Sequence, residues 1–244
     1  MLDKELIKKK FKKSLSTYNS NATVQKKMMF ELLNHIQNKK YDDVLEIGSY
    51  TGLFTKELTK KIEFDSYLAL DIIDSFDFIK DINSKIEFLN VDVEDFKTDK
   101  KFDLIVSNAS LQWCNDFKKT IIKLKSYLKK DGFLIISTFL KGNLFELGDI
   151  FGVELKYIEL EDIKKIFTNG EIISKEEKIK FKTPLDILKH LKYTGVNCLK
   201  NEKLNYVEIK DKLKLLDEKY NNTLTYKPLY IIYQNKGCVC DNIN

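Results

Sequence analysis

The sequence predicts a doubly wound α/β fold built on a seven-stranded, mostly parallel sheet. Three observations carry this reading. First, five short apolar runs, DDVLEIG (42–48), SYLALDI (66–72), KIEFLNVDV (85–93), FDLIVSNA (102–109) and GFLIISTF (132–139), recur between helical stretches such as 116–129. Near-continuous apolar strands belong to parallel sheets covered on both faces, and right-handed crossovers then wind the helices over both sides. Second, the first run ends in a glycine-rich turn. Third, two late runs, GEIISKEEKIKFKT (170–183) and LTYKPLYIIYQ (224–234), complete the sheet, with helices at 184–220 inserted between them.

The elements follow in order. Residues 4–38 read as helical, with Phe11, Leu15 and Tyr18 at i, i+4 and i+7 on one face. Asn21 is placed to cap a second helix carrying Met29, Leu32, Leu33 and Ile36. Residues 42–139 form the core of alternating strands and helices. Beyond them, IELEDIKKIF (158–167) is helical, Thr183-Pro184 starts a helix with Leu185, Leu188 and Leu191 on one face, and Tyr206, Ile209, Leu213, Leu216 and Tyr220 mark another. The remaining helices and the last strands thus occupy 140–235. Residues 1–235 are expected to form one domain and 236–244 a disordered tail.

Composition narrows the function. The 244 residues carry a net charge of +5, with 42 basic residues against 37 acids, and every basic residue is a lysine. An anion site must therefore use point charges rather than guanidinium forks. No run approaches the ~20 apolar residues of a membrane span, and the opening MLDKELIKKKFKK has no apolar signal core. Cys114, Cys198, Cys238 and Cys240 form no CxxC pair, and with two histidines no metal site is expected. A reducing cytoplasm fits these features.

The chemistry-bearing residues lie at the strand ends. After the first strand, Gly48-Ser49-Tyr50-Thr51-Gly52 makes a turn into a helix, where backbone can approach a ligand and N–H groups are offered. The second strand ends in Asp71, followed by Ile72, about 20 residues on, the position of a ribose hydroxyl clamp. The third ends in Asp92-Val93, where an acid can accept from an adenine amino group. The fourth ends in Ser107-Asn108 and leads to Leu111-Gln112-Trp113 at the mouth of the crevice. Each has a plain alternative: the acids can cap helices, Tyr18 can be a core aromatic, and Gln112-Trp113 can pack the sheet end. A dehydrogenase reading is weaker, because GSYTG is not GxGxxG.

This order resembles the class I S-adenosylmethionine-dependent methyltransferases, with Glu46 and Gly48–Gly52 matching their first motif, Asp71 the ribose acid, and Asp92 with Val93 the adenine contact. The resemblance implies a Rossmann-like methyltransferase fold and S-adenosylmethionine as cofactor. Tyr50 departs from it, standing where the family usually has glycine; its side chain either crowds the amino-acid end of the cofactor or points outward. A finer resemblance, to malonyl-[acyl-carrier protein] O-methyltransferases of biotin synthesis, rests on Phe11…Tyr18-Asn19…Ala22…Gln25, SNASLQWCNDF, GFLIISTFLKGNLFEL, LDILKHLKYTGVN and LTYKPLYIIY. It implies that Tyr18 and Gln25 close over the cofactor, that helices 140–220 form the acyl-carrier lid, and that a malonyl-bearing acyl-carrier protein is the partner of a monomeric enzyme. Neither nucleic acid nor membrane is expected as a partner; no NPPY-type motif follows the fourth strand, where SNAS stands. Tyr18, Gln112, Trp113 and Lys189 are the expected substrate-side residues, Lys189 as a carboxylate contact against its ordinary reading as a solvated lysine. His35 and His190 are expected at the surface. Lys180, Lys182, Lys189 and Lys192 are expected to dock the acidic carrier. Alternatives are a methyltransferase for another small acid or a quinone or lipid precursor, and a non-catalytic cofactor-binding scaffold.

Overall fold

A computed structural model of the chain describes residues 2–152, 156–196 and 206–237. Its elements run α1 (Lys4–Asn21), α2 (Thr23–Asn34), β1 (Lys40–Ile47), α3 (Leu53–Thr59), β2 (Glu63–Asp71), α4 (Phe76–Ile79), β3 (Ile86–Asn90), β4 (Phe102–Asn108), a 3-10 turn (Leu111–Trp113), α5 (Phe117–Ser126), β5 (Leu128–Phe139), α6 (Phe145–Phe151), α7 (Leu160–Ile166), β6 (Glu171–Ser174), β7 (Glu177–Lys180), α8 (Pro184–Tyr193), α9 (Tyr206–Tyr220), β8 (Thr223–Tyr226) and β9 (Pro228–Gln234).

Seven strands form one sheet in the order β3-β2-β1-β4-β5-β9-β6. The pairs among β1–β5 are parallel, and β9 runs antiparallel between β5 and β6. The sheet is the expected doubly wound one, with its switch point between β1 and β4. Strand alternation splits the core by face. Val44, Leu104, Val106 and Ile135 pack with α2 and α3 on one side, and Leu45, Ile47, Ile105, Leu134 and Ile136 pack with α5 and α7 on the other.

Several elements differ from the expectation. KIEFLNVDV is not covered on both faces: β3 is the sheet edge, and Leu89 is exposed. The two late runs each break in two. Their second and first halves, β7 and β8, leave the main sheet and pair antiparallel as a separate ribbon. The range 140–220 is accordingly not purely helical. The helix at 116–129 ends at Ser126, with Asp116 capping its start through the Lys119 N–H. Asn21 does not cap α2; it closes α1, its side-chain amide donating to the Thr17 carbonyl at 2.7 Å. Thr183 does cap α8, whose buried face is Ile187 and Leu191 rather than Leu185, which is exposed. His190 is not at the surface: it sits against Phe181, and its Nε2 lies 2.8 Å from the Tyr226 hydroxyl. The tail from 238 onward, which holds Cys238 and Cys240, lies outside the described residues, as does Cys198. Among the described residues, no helix is long and apolar enough to cross a membrane and no cluster could hold a metal.

Candidate active site

The glycine turn is built by backbone hydrogen bonds that cross the sheet. Gly48 N and Ser49 N both donate to the Leu70 carbonyl, at 2.8 and 3.1 Å, which pins the end of β1 to the end of β2. Gly48 has φ +78°, and a Cβ there would lie 2.2 Å from Ser110 Oγ, so only glycine lets the β4 loop approach this closely. Gly52, at φ +69°, stands immediately before α3 and against the Phe78 carbonyl.

Asp71 is the hinge of this region. Its Oδ2 accepts from Tyr50 N at 2.8 Å and its Oδ1 from Ile73 N at 2.7 Å. Burial pushes its carboxyl up to about 6, against the downward pull of those two N–H groups. Each carboxylate oxygen keeps a second lone pair, so Asp71 can fasten the loop and still accept ligand hydroxyls.

Three adjoining cavities, partly open to solvent, run along the strand ends. The first is lined by Asp71, Ile72, Asp92, Val93, Lys4 and Trp113, among others. The second adds Phe11, Tyr18, Tyr50 and Asn108. The third lies between α1, α2 and the late elements and is lined by Tyr18, Gln25, Gln112, Trp113, Asn143 and Tyr157, with Thr194, Tyr226 and apolar side chains completing it. Trp113 lines all three, and Tyr18 joins the second to the third. Among the described residues, no charged side chain lines the third cavity.

Most of the sequence-predicted residues therefore converge. Tyr18, Gln25, Gly48, Asp71, Ile72, Asp92, Val93, Asn108, Gln112 and Trp113 share one channel. Four do not line it. Lys189 is 61% exposed and pairs with Asp186 one helical turn away, as a solvated helix lysine does. Glu46 is fully buried under the loop, where it accepts from Thr55 Oγ1 at 2.7 Å and from the Tyr67 hydroxyl at 2.5 Å. Burial pushes its carboxyl up to about 7, despite both hydrogen bonds. Ser49 is buried with its hydroxyl unpartnered, and Gly52 serves the turn. Asp92 is also less available than expected. Its Oδ1 accepts from Glu94 N and its Oδ2 pairs with Lys4 Nζ at 2.9 Å.

The residues that pattern alone missed are Lys4, Ser110, Asn143, Tyr157 and Tyr226. Lys4 reaches Asp92, Glu94 and the Trp113 carbonyl together, at 2.8–2.9 Å, and ties the start of α1 over the first cavity. It was hidden in a lysine run, where no signal distinguishes it. Tyr50 does not point outward; it folds onto α1, is buried, and lines the second cavity.

The comparisons with known proteins agree with this arrangement. The sequence pattern of the family described as Methyltransferase domain matches residues 19–200. A malonyl-[acyl-carrier protein] O-methyltransferase of Calditerrivibrio nitroreducens is 36% identical over 96% of this chain and 98% of its own. The chain belongs to the malonyl-[acyl-carrier protein] O-methyltransferase family. Solved structures share the family's fold at lower identity. The N-methyltransferase NodS of Bradyrhizobium japonicum, in complex with S-adenosyl-L-homocysteine, matches with a TM-score of 0.52 at 15% identity, covering 87% of each chain. The YcgJ protein of Bacillus subtilis matches with a TM-score of 0.63 at 12% identity, covering 86% of this chain and 98% of that one. Within the malonyl-[acyl-carrier protein] O-methyltransferase family, this chain places its amide and hydroxyl groups in the third cavity and its carboxylates in the first.

Proposed function

We infer that the protein transfers the methyl group of S-adenosylmethionine to the free carboxylate of a malonyl thioester on acyl-carrier protein, giving the methyl ester that enters biotin synthesis. The observation that carries this reading is the third cavity, lined by no charged side chain among the described residues and joined through Tyr18 and Trp113 to the acid-bearing first and second. The cofactor fits these residues. Gly48 leaves room that a Cβ would fill, and Asp71 offers buried acceptor lone pairs. Bound there, S-adenosylmethionine supplies an electrophilic methyl on a positively charged sulfonium.

A carboxylate needs no general base, since its reference pKa lies near 4. The chain matches that requirement: among the described residues, no Asp, Glu, Lys or His lines the third cavity. What remains for the protein is placement and dryness. Tyr18 keeps its proton, because burial drives its pKa upward, so its hydroxyl is a donor. Gln25 is buried with its carbonyl Oε1 unpartnered, which leaves an acceptor open to an N–H or O–H of a ligand. Gln112 is held by the Ala109 carbonyl at 2.6 Å, steadying the neighbouring Trp113. Neutral donors orient an acceptor carboxylate without the tight ion pair that would blunt its nucleophilicity. With Lys189 in solvent, the reading replaces the lysine contact by the Tyr18 hydroxyl.

The deciding experiment is a methyl-transfer assay with malonyl-carrier, malonyl-CoA and free malonate. The reading expects the carrier substrate to be used best. Equal use of free malonate would move the assignment to a small-acid methyltransferase.

A further inference from the structure

We propose that Tyr50 is a positioning residue, clamping α1 onto the glycine turn and thereby setting Tyr18 at the junction of the second and third cavities. This deepens the function proposed above and rests on it for the identity of the reaction.

Tyr50 has φ +43°, in the left-handed region that bulky side chains rarely adopt. A residue kept in such a conformation must be held there by its surroundings. Its holders are all on the page. Its N–H donates to Asp71 Oδ2, and its hydroxyl donates to the Phe11 carbonyl at 2.7 Å and lies 3.0 Å from Ser14 Oγ. Its ring meets Phe11 edge-on at 5.5 Å and Tyr18 edge-on at 4.8 Å.

These contacts bridge two parts of the site. The Asp71 bond fixes Tyr50 to the cofactor side, and the hydroxyl and ring fix it to the helix that carries Phe11, Ser14 and Tyr18. Ser14 is 1% exposed, an unusual fate for a serine in a lysine-rich helix, because it is enclosed between Tyr50 and the turn after α8. A glycine at position 50 would relieve the backbone and remove every α1 contact made by the side chain. The Tyr18 ring would lose the face against which it rests.

Two variants separate the clamp from general stability. Tyr50→Phe keeps the ring and removes the hydroxyl; Tyr50→Gly removes both and suits the backbone. Hydrogen exchange on the free protein should speed up for α1 amides by at least about fivefold in Tyr50→Phe, as expected for a lost hydrogen bond, and further in Tyr50→Gly, with β4 unchanged. In the methyl-transfer assay kcat should fall in the same order, while S-adenosylhomocysteine binding by calorimetry is largely kept. Unchanged α1 exchange in both variants overturns the clamp, and loosened α1 with full kcat overturns its link to Tyr18. Exchange is read without substrate, so a parent protein inactive on malonyl-carrier would count against the proposed reaction and leave the clamp to be decided by exchange alone.

Discussion

Asp71 and Glu46 are both buried acids beneath the same turn, and their partners give them different work. Asp71 touches the cleft and also fastens Tyr50 and Ile73. Asp71→Ala should therefore weaken cofactor binding by at least ~1.5 kcal/mol, the value of one charge-assisted hydrogen bond, and lower the melting temperature as well. Calorimetric titration on the folded variant checks this; an unchanged dissociation constant removes Asp71 from the site. Glu46 touches only protein. Its folded pKa of about 7 lies above the ordinary 4.5, so the stability it contributes is complete below pH 4.5 and lost as pH rises through 7. Glu46→Gln imitates the protonated acid and cannot titrate. Its stability should fall less between pH 5 and 7 than the parent's, by up to about 1.4 kcal/mol per pH unit. Asp71, also raised, leaves some slope in both proteins. Parallel stability curves from denaturant melts across this range would sink the assignment.

At the level of elements, the site is closed by α1, and α1 is held from three directions: Lys4 at its start, Tyr50 at its middle and the end of α8 at its far side. The last contact depends on Gly195. Its φ is +76°, and a Cβ would meet Phe11 Cδ1 at 2.8 Å and Ser14 Oγ at 2.9 Å. Gly195→Ala combines a disfavoured backbone with a clash, and should cost at least about 1 kcal/mol. Urea denaturation measures this; a variant as stable as the parent would show that α8 can withdraw from α1 freely. The same contacts explain why the periodicity of α8 misled. The Leu185, Leu188, Leu191 spacing is helical, but the side facing α1 and the sheet is the one carrying Ile187 and Leu191.

Over the whole molecule, the lysine excess is distributed as pairs and loose ends. Lys180, Lys182, Lys189 and Lys192 stand exposed on β7, α8 and the turn between them, which lead to the Thr194 and Val196 wall of the third cavity. An acidic carrier approaching this face would be steered by charges screened over about 8 Å at physiological salt. The kcat/KM for carrier-bound substrate should then fall as salt rises, with kcat little changed. A minimal substrate without the carrier should respond far less. Equal salt dependence for the two substrates would rule out this docking face.

The sequence by itself determined the wound sheet, its switch point and most of the residues around it. That information is local: apolar runs specify strands, a glycine turn specifies where backbone comes close, and acids at strand ends fall on one edge because parallel strands all end there. Resemblance supplied Tyr18 and Gln25, which no spacing would have singled out. Only the tertiary structure decided which side chains reach the site. Glu46 and Lys189 sit at plausible positions in the chain, but one points beneath the turn and the other into solvent. Lys4, Asn143 and Tyr226 are brought in by contacts between elements distant in sequence. The splitting of the late strands into β6–β9 and β7–β8 pairs has the same origin. Alternation fixes which face a strand buries, but the partner it pairs with depends on where the rest of the chain has already packed.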